Sequence, residues 1–204
     1  YKMKEKDLHD HIELAKAFDN LGVVYWENDQ YDAALEAFME SYKIKKTYTG
    51  CDKGPELAYT MNRLGRIYFH QRKYKTCKKW LMKALETFTE SVGESHPSTA
   101  EVYLNLGSLS VMNENFSDAA KYYKKFLDIN LKTYGEVHPT VSHAYYAFSW
   151  LNSMKDDNKT ALIYAQKGIE IEQKIYGQYS FMGGRFYFQF ALTYFEEGKY
   201  LPSM

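Results

Sequence analysis

One five-residue phrase punctuates the sequence twice, as Gly93-Glu94-Ser95-His96-Pro97 and as Gly135-Glu136-Val137-His138-Pro139, 42 residues apart. Gly177 follows after another 42 residues, and Gly50 with Pro55 holds the same place one step earlier. A second phrase recurs between these marks, at steps of 43, 42, 42 and 42 residues: Asn20-Leu21-Gly22, Arg63-Leu64-Gly65, Asn105-Leu106-Gly107, Ala147-Phe148-Ser149 and Gln189-Phe190-Ala191. Recurrence at a fixed period of this length predicts stacked structural repeats.

Each unit contains two stretches with the apolar spacing of a helix. In the first, apolar or small residues recur at i, i+3, i+4 and i+7, as in Phe18, Leu21, Gly22, Tyr25 and in Met61, Leu64, Gly65, Tyr68. The second carries Tyr31, Ala34, Phe38, then Tyr74, Cys77, Leu81, then Phe116, Ala119, Tyr123. Glycine at the shared position predicts a close approach of two helix backbones, with bulky residues filling the space beside it. The sequence therefore predicts an all-α protein built from antiparallel helix pairs.

This pattern resembles the tetratricopeptide repeat, whose signature is W-x2-L-G-x2-Y followed by A-x3-F. The 42-residue period and the Gly-x-x-His-Pro linker are similar to the kinesin-light-chain type of that repeat. The resemblance covers essentially the whole chain and implies a right-handed superhelical solenoid of helix pairs. The fourth unit departs most, at Ser149, Asn152 and Asn158, and the first signature position is never Trp: it holds Phe18, Met61, Tyr103, Tyr145 and Tyr187.

The repeat register divides the chain into units. Residues 1–10 are predicted to end the second helix of a preceding repeat, and residues 181–204 to begin a fifth repeat, beyond which we expect the array to continue or another chain to cover its end. The units between them are repeat 1 at 11–55, repeat 2 at 56–97, repeat 3 at 98–139 and a degenerate repeat 4 at 140–180.

A second stripe, about 100° around each first helix from the packing stripe, is predicted to face a concave groove. It mixes aromatic side chains with asparagine and arginine, a combination suited to an extended peptide, because amides bond the peptide backbone and arginine binds carboxylates. The alternatives are packing between helices for the aromatics and hydrogen bonds to a neighbouring turn for the asparagines. The predicted groove residues are Asn20, Trp26, Asn62, Arg63, Arg66, Phe69, Asn105, Tyr146 and Trp150.

Charge is spread unevenly, although 26 Lys+Arg balance 26 Asp+Glu. Residues 57–98 carry a balance of +5 and residues 14–56 one of −3. Arg63 and Arg66 on the predicted groove helix favour an acidic partner segment, and the resemblance to kinesin light chains implies short acidic-aromatic cargo motifs. The lysines of the following second helix are predicted to form a solvated outer face: Lys75, Lys78, Lys79 and Lys83.

The sequence contains no catalytic or cofactor motif, and we predict a protein that is not an enzyme and needs no cofactor. His9-Asp10-His11 comes nearest to a metal site, but it falls at a repeat linker. His96 and His138 are predicted to have a helix-start or turn role, and Cys77 is predicted to be buried packing. Overall neutrality argues against nucleic acid, and the apolar runs are too short for a membrane span. Only two cysteines occur, which fits a reducing compartment and predicts a cytoplasmic protein, with a cytoskeletal or ciliary association left open.

The predicted function is a protein-interaction module, an adaptor that binds a partner's peptide in the groove. One alternative is a structural scaffold of a large cytoskeletal or ciliary assembly, whose outer residues Tyr122 and Tyr164 would be covered by partners. The other is a regulatory arm of a larger protein. The oligomeric state stays open.

Overall fold

The computed structural model describes residues 5–48 and 54–177, and every regular element within them is an α-helix. The predicted all-α fold of helix pairs is confirmed. The residues expected to begin a fifth repeat, 181–204, lie outside the described part. The helices are α1 (Glu5–Glu27), α2 (Tyr31–Tyr48), α3 (Pro55–His70), α4 (Tyr74–Ser91), α5 (Pro97–Met112), α6 (Phe116–Tyr134), α7 (Pro139–Ser153) and α8 (Asn158–Tyr176).

The described residues form two compact units, one up to Asn105 and one from Leu106 onward, and the boundary between them falls inside α5. In the first unit α1 packs against α2, α2 against α3, and α3 against α4. In the second unit α6 packs against α7, and α7 against α8. Contacts between elements that follow each other in sequence are typical of repeat architectures.

Helix boundaries follow the sequence punctuation. After α6 the chain turns at Gly135, whose φ of 80° is a left-handed conformation that glycine adopts without a steric penalty. His138 then caps α7, because its Nδ1 accepts a hydrogen bond from the Thr140 backbone N–H at 3.2 Å. Pro139 takes the first helical position, where no N–H is needed. The predicted helix-starting role of the His-Pro linker is confirmed.

The glycine of each first helix faces a large side chain of its partner helix. An added Cβ would lie 2.6 Å from Phe38 at Gly22, 2.6 Å from Leu81 at Gly65, and 2.4 Å from the Tyr123 ring at Gly107. In the fourth pair the register replaces the glycine by Ser149 and the large residue by Ala165, and both are buried. The residue on the first helix is larger than glycine and the residue on the second helix is smaller than Phe, Leu or Tyr. The two changes offset each other, so the helices can remain close together.

The first helix differs from its register equivalents. Residues 5–10, predicted to end a preceding second helix, instead continue α1 without interruption, because no glycine or proline breaks the chain there. Leu21, predicted to be core, is 41% exposed, whereas its equivalent Leu64 is 0% exposed. Leu64 packs in one cluster with Ala34 and Phe38 of α2, and among the described helices none covers the same side of α1.

Candidate functional site

An open cleft of about 300 Å³ lies in the first unit, between α1, α2 and α3. Three of its lining residues were predicted as groove residues from the sequence: Trp26, Arg63 and Arg66. Val23, Glu27 and Phe38 complete the lining. Aromatic rings and two cations thus share one surface with a single carboxylate.

Both arginines lie against rings of the cleft. The Arg66 Cζ is 4.7 Å from the centroid of the Trp26 ring, and the Arg63 Cζ is 5.5 Å from that of Phe38. Contact with a ring face uses none of a guanidinium's five N–H donors, so stacking holds each arginine in place while its edge can still bind a carboxylate. Partial desolvation lowers the pKa of Arg66, Glu101 opposes this shift, and Arg63 adds to it. The guanidinium remains protonated at neutral pH, so the cleft stays cationic.

The two arginines differ in their protein partners. An Arg63 guanidinium nitrogen lies 3.8 Å from Oδ1 of Asp19, which also forms an ion pair with Lys45. The Lys45 Nζ donates further hydrogen bonds to Thr60 Oγ1 at 2.9 Å and to the Glu56 carbonyl at 3.1 Å. Asp19 and Lys45 are both buried, so this network ties α1, α2 and α3 together beneath the cleft. Arg63 is therefore partly neutralised, and Arg66 is the cation more available to a ligand.

An aromatic cluster borders the cleft beyond Trp26. The Trp26 ring meets His70 edge-on, with centroids 4.7 Å apart, and His70 stacks on Tyr31 at 5.0 Å. Burial lowers the pKa of His70, and Arg66 adds to the shift while Asp29 opposes it. His70 is consequently neutral at pH 7 and supports the Trp26 ring from outside the cleft as a further aromatic side chain.

The predicted asparagines behave differently from one another. Asn62 is buried, and its Oδ1 accepts a hydrogen bond from Asn105 Nδ2 at 2.8 Å. The neighbouring first helices thus satisfy half of each amide by themselves, in place of the expected turn contact. Asn20 is exposed on α1.

The remaining predicted aromatics are half-buried. Phe69 contacts the rings of His70 and Tyr74. In the second unit, Tyr146 packs against Ala165 and Ile169, and Trp150 is half-buried on the same helix. Tyr146 therefore contributes at least in part to the core that α7 forms with α8.

Sequence reasoning missed Phe38 as a lining residue. Its position predicted core, and it is 2% exposed, yet it forms the cleft floor under Arg63. The repeat pattern could have identified Phe38, because it places the Phe38 ring against Gly22 of α1, and α1 borders the cleft. No sequence pattern identified Glu27 as a lining residue.

The described residues also bear on metal binding, thiol chemistry and membrane insertion. No group of three or more His, Cys, Asp or Glu side chains there could hold a metal ion. Cys77 is a buried free thiol, and burial raises its pKa to about 12, which confirms the predicted packing role. None of the helices in residues 5–48 and 54–177 is both long and apolar enough to cross a membrane.

Models of one family match this chain: residues 15–48 and 56–132 each match a model described as the tetratricopeptide repeat. Together the matches span more than half of the 204 residues. The chain is a tetratricopeptide repeat protein, and such repeats are protein–protein interaction modules.

Solved structures agree with this fold. The chain is similar to BtubC (BKLC) from P. vanneervenii, with a TM-score of 0.73, 16% identity, and coverage of 95% of this chain and 82% of that one. It is also similar to a Podosopora anserina protein of kinesin-light-chain type with nearly identical TPR-like repeats, at a TM-score of 0.69 and 17% identity, covering 97% of this chain and 90% of that one. These likenesses show the fold, and they include the kinesin-light-chain-like architecture expected from the linker.

One curated relative is similar over part of its sequence. RxLR effector protein SFI4 of Phytophthora infestans (strain T30-4) is 31% identical over 101 residues, which is 46% of this chain. The match covers 30% of the relative's own length.

Proposed function

We propose that this protein is a non-catalytic adaptor that binds an extended peptide of a partner protein, with the cleft beside Trp26 as the anchoring site. The observation that carries this proposal is the placement of Trp26, Arg63 and Arg66 around one open space. Its volume of about 300 Å³ is at the lower end for ligand pockets. It therefore suits a side chain of a longer segment better than a free-standing small molecule.

The chemistry of the lining favours a peptide that carries an aromatic residue next to acidic ones. The half-buried Trp26 ring can contact an aromatic side chain above the floor that Phe38 forms, while Arg66 offers N–H donors to a neighbouring carboxylate. Glu27 would repel a second, misplaced acid and so helps to set the register of the bound segment. A peptide with basic residues next to the aromatic one would be repelled by Arg66 and would offer it no carboxylate to bind.

Further contacts extend this proposal. Asn20 is exposed and can bond a peptide backbone, and Asn62 and Asn105 each retain half of an amide. Phe69, and in the second unit Tyr146 and Trp150, are proposed secondary contacts. We also retain the boundaries predicted for repeats 1 to 4. The proposal further includes a cytoplasmic location, consistent with the free Cys77 thiol, and a function without nucleic acid, cofactor or membrane insertion.

Binding of defined peptides tests the proposal. One fluorescently labelled peptide should carry a tryptophan flanked by Asp and Glu, and a matched peptide should replace the acids by Lys. We expect the wild type to bind the acidic peptide and not the Lys-substituted one. Arg66→Glu should weaken the affinity for the acidic peptide at least tenfold, because a charge-assisted hydrogen bond contributes about 1.5–3 kcal/mol. Fluorescence anisotropy gives the dissociation constants.

The matched control is Arg72→Glu, an equal charge change at an exposed turn residue outside the cleft. It should leave the affinity within about twofold, since a distant exposed charge contributes little. Equal losses in both variants would point to general electrostatic attraction. Acidic peptide binding that survives both Arg66→Glu and Trp26→Ala would refute the cleft as the site.

A further inference from the structure

The first half of α4 carries a cluster of exposed lysines on its outward side. It lies opposite the buried side of that helix, which contributes Cys77, Leu81 and Phe88 to the core. The cluster spans about 12 Å along the helix axis, and we call it the α4 basic patch. Its members are Lys75, Lys78, Lys79 and Lys83.

The sequence around the α4 basic patch contains no compensating carboxylate. Between Glu56 and Glu86 lie eight Lys and Arg residues and not a single Asp or Glu. Of the residues that the structure describes, none forms an ion pair with a lysine of the patch, and the Lys83 Nζ lies instead 5.3 Å from the centroid of the Trp80 ring. The patch therefore concentrates positive charge that the surrounding protein does not neutralise.

This arrangement is unfavourable for α4 itself. Lys75 with Lys79, and Lys79 with Lys83, are like-charge pairs at i and i+4, which destabilise a helix. The first turn has no acidic residue, although the macrodipole favours one there, and the N-cap residue Lys73 makes no side-chain hydrogen bond. Because the patch weakens the helix that carries it, the stability of the fold does not explain it.

Other second helices mix their charges or cap their first turn. In α2 Lys43 pairs with Glu40, and in α6 Lys124 pairs with Asp128. In α8 the N-cap residue Asp157 accepts a hydrogen bond from a first-turn backbone N–H. The unmixed charge of α4 is thus a property of this element and not of the repeat.

We propose that the α4 basic patch binds a short acidic segment of a partner protein, in which several Asp or Glu residues lie close together. Their carboxylates would offset the repulsion among the lysines and complement the positive end of the helix macrodipole. Because the patch consists of lysines, the bound segment needs no aromatic residue. This surface is separate from the cleft, which lies between α1, α2 and α3.

The length of the patch favours a short acidic segment over a nucleic acid or an anionic membrane. Glu86 and Glu90 follow Lys83 on the same face of α4, and both are exposed. A nucleic acid or a lipid surface extends beyond the patch and would bring its phosphates close to these carboxylates, whereas a few acidic residues can end before them. The formal net charge of zero also provides no overall attraction for a polyanion.

Fluorescence anisotropy with the 204-residue chain at low ionic strength tests the proposal. The probe is a labelled peptide that is rich in Asp and Glu and free of aromatic residues. The same labelled peptide with Asn and Gln in place of the acids is its control. We expect the wild type to bind the acidic peptide and not the amide one, and added salt should weaken this binding. Lys79→Glu should weaken it at least about tenfold, because attraction at the centre of the patch becomes repulsion.

The stability of the variant separates lost binding from misfolding. Lys79→Glu turns the like-charge pairs with Lys75 and Lys83 into pairs of opposite charge, so its melting temperature should rise while its peptide affinity falls. Circular dichroism measures the melting temperature. The matched control is Lys159→Glu, which makes the same charge change at an exposed position of α8 and should leave the affinity within about twofold.

A wild type that does not bind the acidic peptide would overturn the proposal, and so would binding that survives Lys79→Glu or that Lys159→Glu weakens equally. Tighter binding of single-stranded DNA, or of vesicles that contain phosphatidylserine, would overturn the assignment to a protein partner. Arg66→Glu should leave the affinity for this peptide within about twofold, because the peptide lacks the aromatic residue that the cleft would anchor. The two proposals therefore fail separately.

Discussion

At the scale of single residues, the buried pair of Asp19 and Lys45 is the most consequential interaction below the cleft. Lys45 is 5% exposed and Asp19 is 8% exposed, so each charge relies on protein groups in place of water. Removing one member of such a pair leaves an uncompensated charge in the interior, which costs far more than the pair contributes when intact. Because Arg63 also contacts Asp19, the same carboxylate helps to fix one wall of the cleft.

We expect Asp19→Ala to lower the free energy of unfolding by about 3–5 kcal/mol, because the buried Lys45 loses the carboxylate with which it forms an ion pair. Asp19→Ala/Lys45→Met removes both charges and should be much less destabilised than Asp19→Ala alone. Urea titration followed by circular dichroism measures both. Asp128→Ala breaks the exposed pair with Lys124 and should cost about 1 kcal/mol or less. If Asp19→Ala/Lys45→Met were as unstable as Asp19→Ala, the loss would not come from the unpaired charge of Lys45, and the prediction would be wrong.

At the scale of helix pairs, the exchange of a glycine and a large residue for a serine and an alanine is the clearest sign of repeat-specific packing. Three pairs have glycine on the first helix and Phe38, Leu81 or Tyr123 on the second. The fourth has Ser149 and Ala165 in the same register. The two positions share one fixed volume, so their substitutions should not be additive.

A double-mutant cycle at Gly107 and Tyr123 tests this coupling. Gly107→Ser should destabilise by about 1–3 kcal/mol through overpacking, and Tyr123→Ala by about 3–5 kcal/mol through a cavity. The combination reproduces the fourth pair, and we expect it to be more stable than the sum of the single changes by at least about 1 kcal/mol. Thermal or urea unfolding provides the free energies. Gly107→Ser with Phe126→Ala, a buried residue that Gly107 does not face, should be additive.

The helix pairs could be predicted from the sequence because each repeat restates the same local signals. Four registers of glycine, proline and 3.6-residue periodicity outweigh any single ambiguous residue. The errors fall on α1, where the punctuation is weakest: with no glycine or proline ahead of His11, nothing in the chain marks a boundary, and the helix continues. Leu21 was assigned to the core by register, but register cannot report whether a neighbouring helix is present.

At the scale of the whole molecule, two buried neutral groups link stability to alkaline pH. Burial raises the pKa of Cys77 in the first unit to about 12 and also raises that of Tyr123 in the second. Both hold a proton in the folded state at pH values where the unfolded chain has released it. Their contribution to stability is therefore complete below the unfolded pKa values, about 9 and about 10, and falls as the pH rises above them.

We expect the free energy of unfolding to fall between pH 8 and pH 10.5 by about 2 kcal/mol on account of Cys77 alone, since each pH unit above the unfolded pKa costs about 1.4 kcal/mol. Cys77→Ala should remove that part of the pH dependence. Alanine occupies the same register in the other second helices, at Ala34, Ala119 and Ala161, so the variant should fold normally. Unfolding curves across this range measure the slope. Cys51→Ala is the control, and identical slopes for wild type and Cys77→Ala would contradict the assignment.

The candidate site could be predicted only in part. Helical phase brought Trp26, Arg63 and Arg66 to one surface because those positions depend on backbone geometry alone. The partners of each side chain could not be predicted. Asn62 accepts a hydrogen bond from Asn105, and Arg63 lies close to Asp19. Both contacts depend on distances between helices that periodicity does not specify.

The swapped contact of the fourth helix pair also constrains how the repeats can have diverged. A lineage that exchanges glycine and a bulky residue for serine and alanine cannot make both changes at once. Adding the serine first forces its side chain into an occupied space, whereas trimming the bulky residue first leaves a void. Because a void of this size costs more stability than the collision, serine opposite the bulky residue is the less destabilised of the two single-step intermediates.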